Sequence, residues 1–132
     1  MRITPDTNVL VRLVVDDDAA QGLIAVEMLE RASQIAISVH ALCEMVWVLR
    51  GRYGMARADI AGAIRGLIGA GNVVVNRPAI EAGLALLEAG GDFADGVIAF
   101  EGRWLGGDTF ASFDKSAVRL LEGQGNAALL LA

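Results

Sequence analysis

The sequence predicts an α/β sandwich built on a mainly parallel sheet. Three observations point there. Short β-rich runs alternate with longer stretches of helical periodicity. In the first half, two helical stretches separate each pair of successive strands. The chain has only two prolines, Pro5 and Pro78, and each stands where an element begins or ends. At 132 residues and 55% apolar content, the chain is read as one domain, residues 1–132, with its own core.

The elements follow in order. Arg2–Ile3–Thr4 reads as a short first strand ended by Pro5–Asp6, and a helix follows over about Thr7 to Val15. Asp16, Asp17 and Asp18 start a second helix with Leu23, Val26, Met28, Leu29 and Ala32 at helical spacing. Gln34 to Ser38 is a second strand. Val39 to Tyr53 is a helix stopped by Gly54, and Arg57 to Ala70 is another, with Ile60, Ile64, Leu67 and Ile68 on one face. Asn72 to Asn76 is a third strand, and its valines suit a buried parallel position. Pro78 opens a helix that Gly90–Gly91 closes. Asp92 opens the next, which runs to about Leu105. Thr109 to Phe113 is a strand, Asp114 to Glu122 a helix, and Ala127 to Leu131 a last strand at an edge.

Composition excludes several classes. One cysteine, Cys43, rules out a disulfide framework and a cysteine-rich zinc site. One histidine, His40, rules out a paired-histidine zinc motif. A net charge of -5 argues against a protein held on nucleic acid by bulk positive charge. The sequence shows no signal peptide and no run long enough to span a membrane, so a cytoplasmic protein is expected. Nucleophile elbows, Walker loops and dinucleotide-binding glycine fingerprints are absent.

The acids carry the chemistry. Ligand sites in open α/β sheets form beyond the carboxyl ends of the strands. Asp6 follows the first strand, Asp114 the fourth, and Asp95 lies in the first turn of the helix after Gly90–Gly91. Glu44 lies mid-helix after the second strand. Taken singly, Asp6, Asp92 and Asp114 read first as N-caps, worth about 1 kcal/mol each. Asp92 and Asp95 have capping-box spacing. Glu44 fits that plainer role less well. From Val39 to Leu49 only His40 and Glu44 are polar, which reads either as a thin solvated stripe or as a carboxylate in a small apolar pocket beside Ala41 and Val48. Two carboxylates ~5 Å apart repel by roughly 3 kcal/mol at an effective dielectric of 20. A converging set of four therefore calls for a hard divalent cation, Mg²⁺ or Mn²⁺, with oxygen ligands. Such an ion activates water and stabilises the leaving oxygen of an in-line displacement.

Four motifs now resemble a known family. They are Asp6–Thr7–Asn8–Val9–Leu10, Glu44 within Ala41 to Leu49, Asp92–Phe93–Ala94–Asp95–Gly96–Val97–Ile98–Ala99, and Ser112–Phe113–Asp114–Lys115. Their order and spacing resemble PIN-domain ribonucleases, in particular the small VapC-type toxins of toxin–antitoxin modules. The resemblance covers essentially the whole chain. It implies a PIN-like three-layer sandwich with a five-stranded parallel sheet between helices, and a metal-dependent endoribonuclease. It implies Mg²⁺ or Mn²⁺ held by Asp6 and Asp95, with Glu44 and Asp114 completing the catalytic acids. Asn8 and Ser112 would orient carboxylates or a water, and Asp92 is either a cap or a water-mediated ligand. The chain departs from the family pattern at Ser112, where threonine is usual, and at Gly96, where alanine is usual. The glycine costs roughly 1 kcal/mol in a helix interior.

Two bound Mg²⁺ would bring the charge from -5 to -1. Arg50, Arg52, Arg57, Arg103 and Lys115 are candidates for the RNA backbone, against ordinary solvated helix ends. The apolar content predicts exposed surface on the Val9–Val15 and Leu23–Leu29 helices, and so a partner. The resemblance supplies a second copy and a VapB-type antitoxin. His40 is expected part-exposed, Cys43 in the core, and Trp47 and Trp104 as packing anchors. A catalytically silent RNA- or partner-binding module is the alternative. A metal-dependent phosphatase using Asp6 would want a second aspartate where Asn8 stands.

Overall fold

The computed structural model describes residues 1–132 and contains seven helices and five strands. By its contacts the chain forms two compact units, residues 1–76 and 77–132.

The first unit holds β1 (Arg2–Ile3), α1 (Thr7–Val14), α2 (Ala19–Arg31), β2 (Gln34–Ala36), α3 (Val39–Gly51), α4 (Arg57–Ile68) and β3 (Val73–Val74). Its three strands are parallel in the order β1-β2-β3, with Ile3 opposite Ile35 and Ile35 opposite Val73. Helix starts are fixed by side-chain caps: Asp6 on α1, Asp18 on α2 and Ser38 on α3. α1 packs on both α2 and α3. Leu10, Leu42, Met45 and Leu49 are fully buried. The Asn72 amide donates to the carbonyls of Leu29 and Ala32, tying the end of α2 to the start of β3. The Leu29 carbonyl is among the last four of the helix and Ala32 is its C-cap, so neither has a partner inside it.

The second unit holds α5 (Arg77–Glu88), α6 (Phe93–Trp104), β4 (Phe110–Ser112), α7 (Lys115–Gly123) and β5 (Ala128–Leu130). α5 and α6 form an antiparallel pair turned by Gly90, whose φ of 99° suits glycine. β4 and β5 pair in parallel, Phe110 to Ala128 through Ser112 to Leu130. Phe93, Leu84 and Leu87 are buried.

Four expectations need correction. The five parallel strands form two sheets, of three and two strands, rather than one sheet of five. β1 offers only two residues, Arg2 and Ile3, and pairs with β2 alone. β3 is an edge strand rather than a buried one: Val74 is 52% exposed, because β2 occupies the centre of its sheet. Trp47 and Trp104, expected as packing anchors, are 79% and 78% exposed. Cys43, expected in the core, is half-buried. The apolar surface expected on the second helix is present, with Leu23 and Ile24 about two-thirds exposed. No helix is long and apolar enough to cross a membrane.

Candidate active site

In the first unit, Asp6 sits where β1 has ended and α1 begins. Its Oδ1 accepts the Val9 N–H at 3.0 Å, which fixes the carboxylate and leaves Oδ2 without a protein partner. Asp6 and Asn8 stand at one side of a cleft of about 390 Å³ between α1 and α2, whose walls include Gln21, Ile24 and Met28.

Glu44 takes the solvated-stripe position. The buried side of α3 carries Ala41, Leu42, Met45, Val46 and Leu49. Glu44 stands away from it, about half exposed, with Oε1 2.5 Å from Nε2 of exposed His40. The two are four residues apart, one turn along the same face. The apolar pocket that the flanking Ala41 and Val48 suggested does not form around Glu44, because helical rotation carries Ala41 into the core.

In the second unit, the aspartates gather around the first turns of two helices. Asp92 caps α6 by accepting the Ala94 N–H at 3.2 Å. Asp114 caps α7 through Oδ1, which accepts from Ser116 at 2.9 Å and Ala117 at 3.2 Å. The Ser112 hydroxyl accepts the Asp114 N–H at 2.9 Å, so it steadies the backbone of that residue rather than its carboxylate. Asp95, at the third position of α6, is half-buried and has no cationic partner. Burial first, then the charges of Asp92 and Asp114, push its carboxyl above the ordinary value.

The four predicted acids thus divide two and two: Asp6 and Glu44 on the first unit, Asp95 and Asp114 on the second. No group of three or more His, Cys, Asp or Glu side chains is placed to hold a metal ion. Carboxylates are the donors a hard divalent ion takes, and Asp95 is disfavoured as a bare anion. The caps and the ligand roles are compatible: on Asp6 and Asp114 the backbone uses Oδ1, and Oδ2 is left over.

Sequence reasoning missed two features nearby. Gly96 follows Asp95 where α6 crosses α5, and a Cβ there would lie 2.5 Å from the Ala82 carbonyl oxygen. The glycine in place of the family's usual alanine was the available signal. Arg12 pairs with Asp17, which also accepts the Tyr53 hydroxyl at 2.7 Å. No local pattern links Tyr53 to Asp17.

No curated protein matches the chain. The family model described as PIN domain matches residues 3–120, a span that includes all four acids. The chain belongs to the PIN domain family, whose members are commonly nucleases that use divalent metal ions.

Proposed function

We propose that the chain is a divalent-metal-dependent endoribonuclease that hydrolyses RNA phosphodiester bonds. Mg²⁺ or Mn²⁺ would be held by Asp6, Asp95, Glu44 and Asp114. The observation that carries the reading is the PIN domain match over residues 3–120, which spans all four acids.

A bound divalent ion supplies Lewis-acid stabilisation of charge on the phosphodiester and a water of lowered pKa. The protein's part is to hold the carboxylates ready. Asp6 and Asp114 are fixed by backbone N–H groups, so little side-chain freedom is lost when Oδ2 takes a further ligand. Ser112 holds the Asp114 backbone, and so the direction of its side chain. Glu44, paired with His40, stands in reach of solvent.

Within this reading the enzyme acts in the cytoplasm as the toxin of a toxin–antitoxin pair. A VapB-type antitoxin and a second copy of the chain are its partners. The exposed Leu23, Ile24 and Val26 of α2 support a protein partner. The decisive experiment is cleavage of an RNA panel with Mn²⁺ or Mg²⁺. Activity is expected in the wild type, and its loss is expected with chelator and in Asp6→Asn and Asp95→Asn. Undiminished cleavage by Asp6→Asn would overturn the assignment. Tight RNA binding without cleavage under any metal would favour a silent binding module.

A further inference from the structure

α6 carries two glycines, Gly96 and Gly102, that differ in what surrounds them. A Cβ on Gly102 would meet nothing within 4 Å, whereas one on Gly96 would lie 2.5 Å from the Ala82 carbonyl oxygen and 3.0 Å from the Gly83 Cα. Backbone thus faces backbone where α6 crosses α5, the most extensively packed pair of elements in the chain. Glycine is among the poorest helix formers, so helix propensity does not explain its presence at 96. The lack of room does. Gly83 is equally crowded from the α5 side: a Cβ there would lie 2.6 Å from the Phe93 ring and 2.9 Å from a Val97 methyl.

Asp95 precedes this contact by one residue. Asp92 caps α6, and Phe93, Ala94 and Asp95 open its first turn. A carbonyl oxygen held in α5 cannot swing aside as a side chain does, so a methyl at 96 is accommodated only by moving that turn. The methyl would stand about 1 Å inside ordinary contact, which begins at 3.4 Å. Successive helical residues point about 100° apart, so Asp95 stands to the side of the contact and is carried along with it. Ligand side chains have to be held within about 0.5 Å of their productive geometry, so a shift of that size matters to a metal site.

We propose that Gly96 is a positioning residue for the metal site: its missing side chain lets α6 seat against the Ala82 carbonyl and so sets the place of Asp95. The proposal rests on the reading of Asp95 as a metal ligand and adds what fixes that ligand. Gly96 itself touches neither metal nor substrate.

The test is calorimetric titration of the full chain with Mn²⁺, below its melting temperature, beside steady-state RNA cleavage. Gly96→Ala is expected to weaken Mn²⁺ binding about tenfold, the usual effect of losing a group that orients a ligand, and to lower kcat with little change in KM. Gly102→Ala binds Mn²⁺ as the wild type does. Leu121→Ala, which removes a buried side chain from α7, lowers the Tm and leaves the Mn²⁺ affinity unchanged. If Gly96→Ala does not fold, Gly83→Ala is read in its place. Its Cβ meets side chains that can shift, and it parts the same helices from the other side, so weaker Mn²⁺ binding is expected there too. Wild-type Mn²⁺ affinity in whichever of the two variants folds would overturn the proposal. An equal loss of affinity in Leu121→Ala would also overturn it, because general destabilisation would then account for the effect. A wild-type chain that takes up no Mn²⁺ overturns the metal reading itself, and the proposal with it, before any variant is compared.

Discussion

Gly96 of α6 lies so close to Ala82 of α5 that a Cβ added to the glycine would sit 2.5 Å from the Ala82 carbonyl oxygen. Backbone rather than a flexible side chain stands in the way, so the helices would have to part. Gly83, on α5, meets Phe93 and Val97 as tightly from the other side. The α5–α6 crossing is therefore set by glycine, immediately beside Asp95.

Gly96→Ala should destabilise by about 1–3 kcal/mol, the usual range for forcing a methyl into a filled space. On helix propensity alone the same change would stabilise by up to about 1 kcal/mol. The sign of the Tm shift therefore decides between packing and propensity. Gly102→Ala, on the same helix with no atom near its added Cβ, should stabilise. Equal shifts for the two would contradict the close approach.

Asp6→Asn and Asp6→Ala should separate capping from catalysis. Asparagine caps about as well as aspartate, so Asp6→Asn keeps the fold stability. Alanine removes the bond to Val9 and costs about 1 kcal/mol. Both variants lose RNA cleavage. Thermal melts of the two proteins beside their cleavage rates provide the check.

Asp95→Asn should stabilise the metal-free protein at neutral pH. Because burial and the Asp92 and Asp114 charges raise the folded pKa, the folded state disfavours the ionised carboxyl. The stability that Asp95 costs is absent at acid pH and appears as pH rises from the ordinary carboxyl value through the raised one. The gain from Asp95→Asn should therefore vanish on acidification below the ordinary carboxyl range. Mn²⁺ should raise the Tm of the wild type and not that of Asp95→Asn.

Tyr53→Phe should raise the pKa of Asp17, followed by carboxyl chemical shifts in an NMR titration. The Tyr53 hydrogen bond is the main cause that holds Asp17 below the ordinary value, with Arg12 adding to it. A lowered folded pKa stabilises above the unfolded value and is lost as pH falls through the lowered one. Tyr53→Phe should therefore matter to stability at neutral pH and not in strong acid. An unmoved Asp17 pKa would show that the contact is absent in solution.

Much of this molecule was legible one segment at a time. The caps at Asp6, Asp92 and Asp114 and the turn at Gly90 are local devices, each needing only a few consecutive residues to form. The five strands and seven helices stand near their expected positions for the same reason. The four motifs that identify a PIN domain are also short runs, and the family match spans them all.

Pairing and exposure required the tertiary structure. Nothing within Asn72 to Asn76 shows that its valines lie at an edge, since a strand's place in a sheet depends on which other strands reach it. Helical periodicity in Val39 to Leu49 left two faces open for Glu44 and Trp47. Packing against α1 buried Leu42, Met45 and Leu49, and so turned both residues to solvent. The Gly96–Ala82 approach and the bonds from Asn72 to the end of α2 join atoms distant in the chain. The sequence by itself determined what each segment becomes and which acids are available. The tertiary structure decided which of their neighbours each one meets, because burial and electrostatic coupling belong to surroundings rather than to a residue.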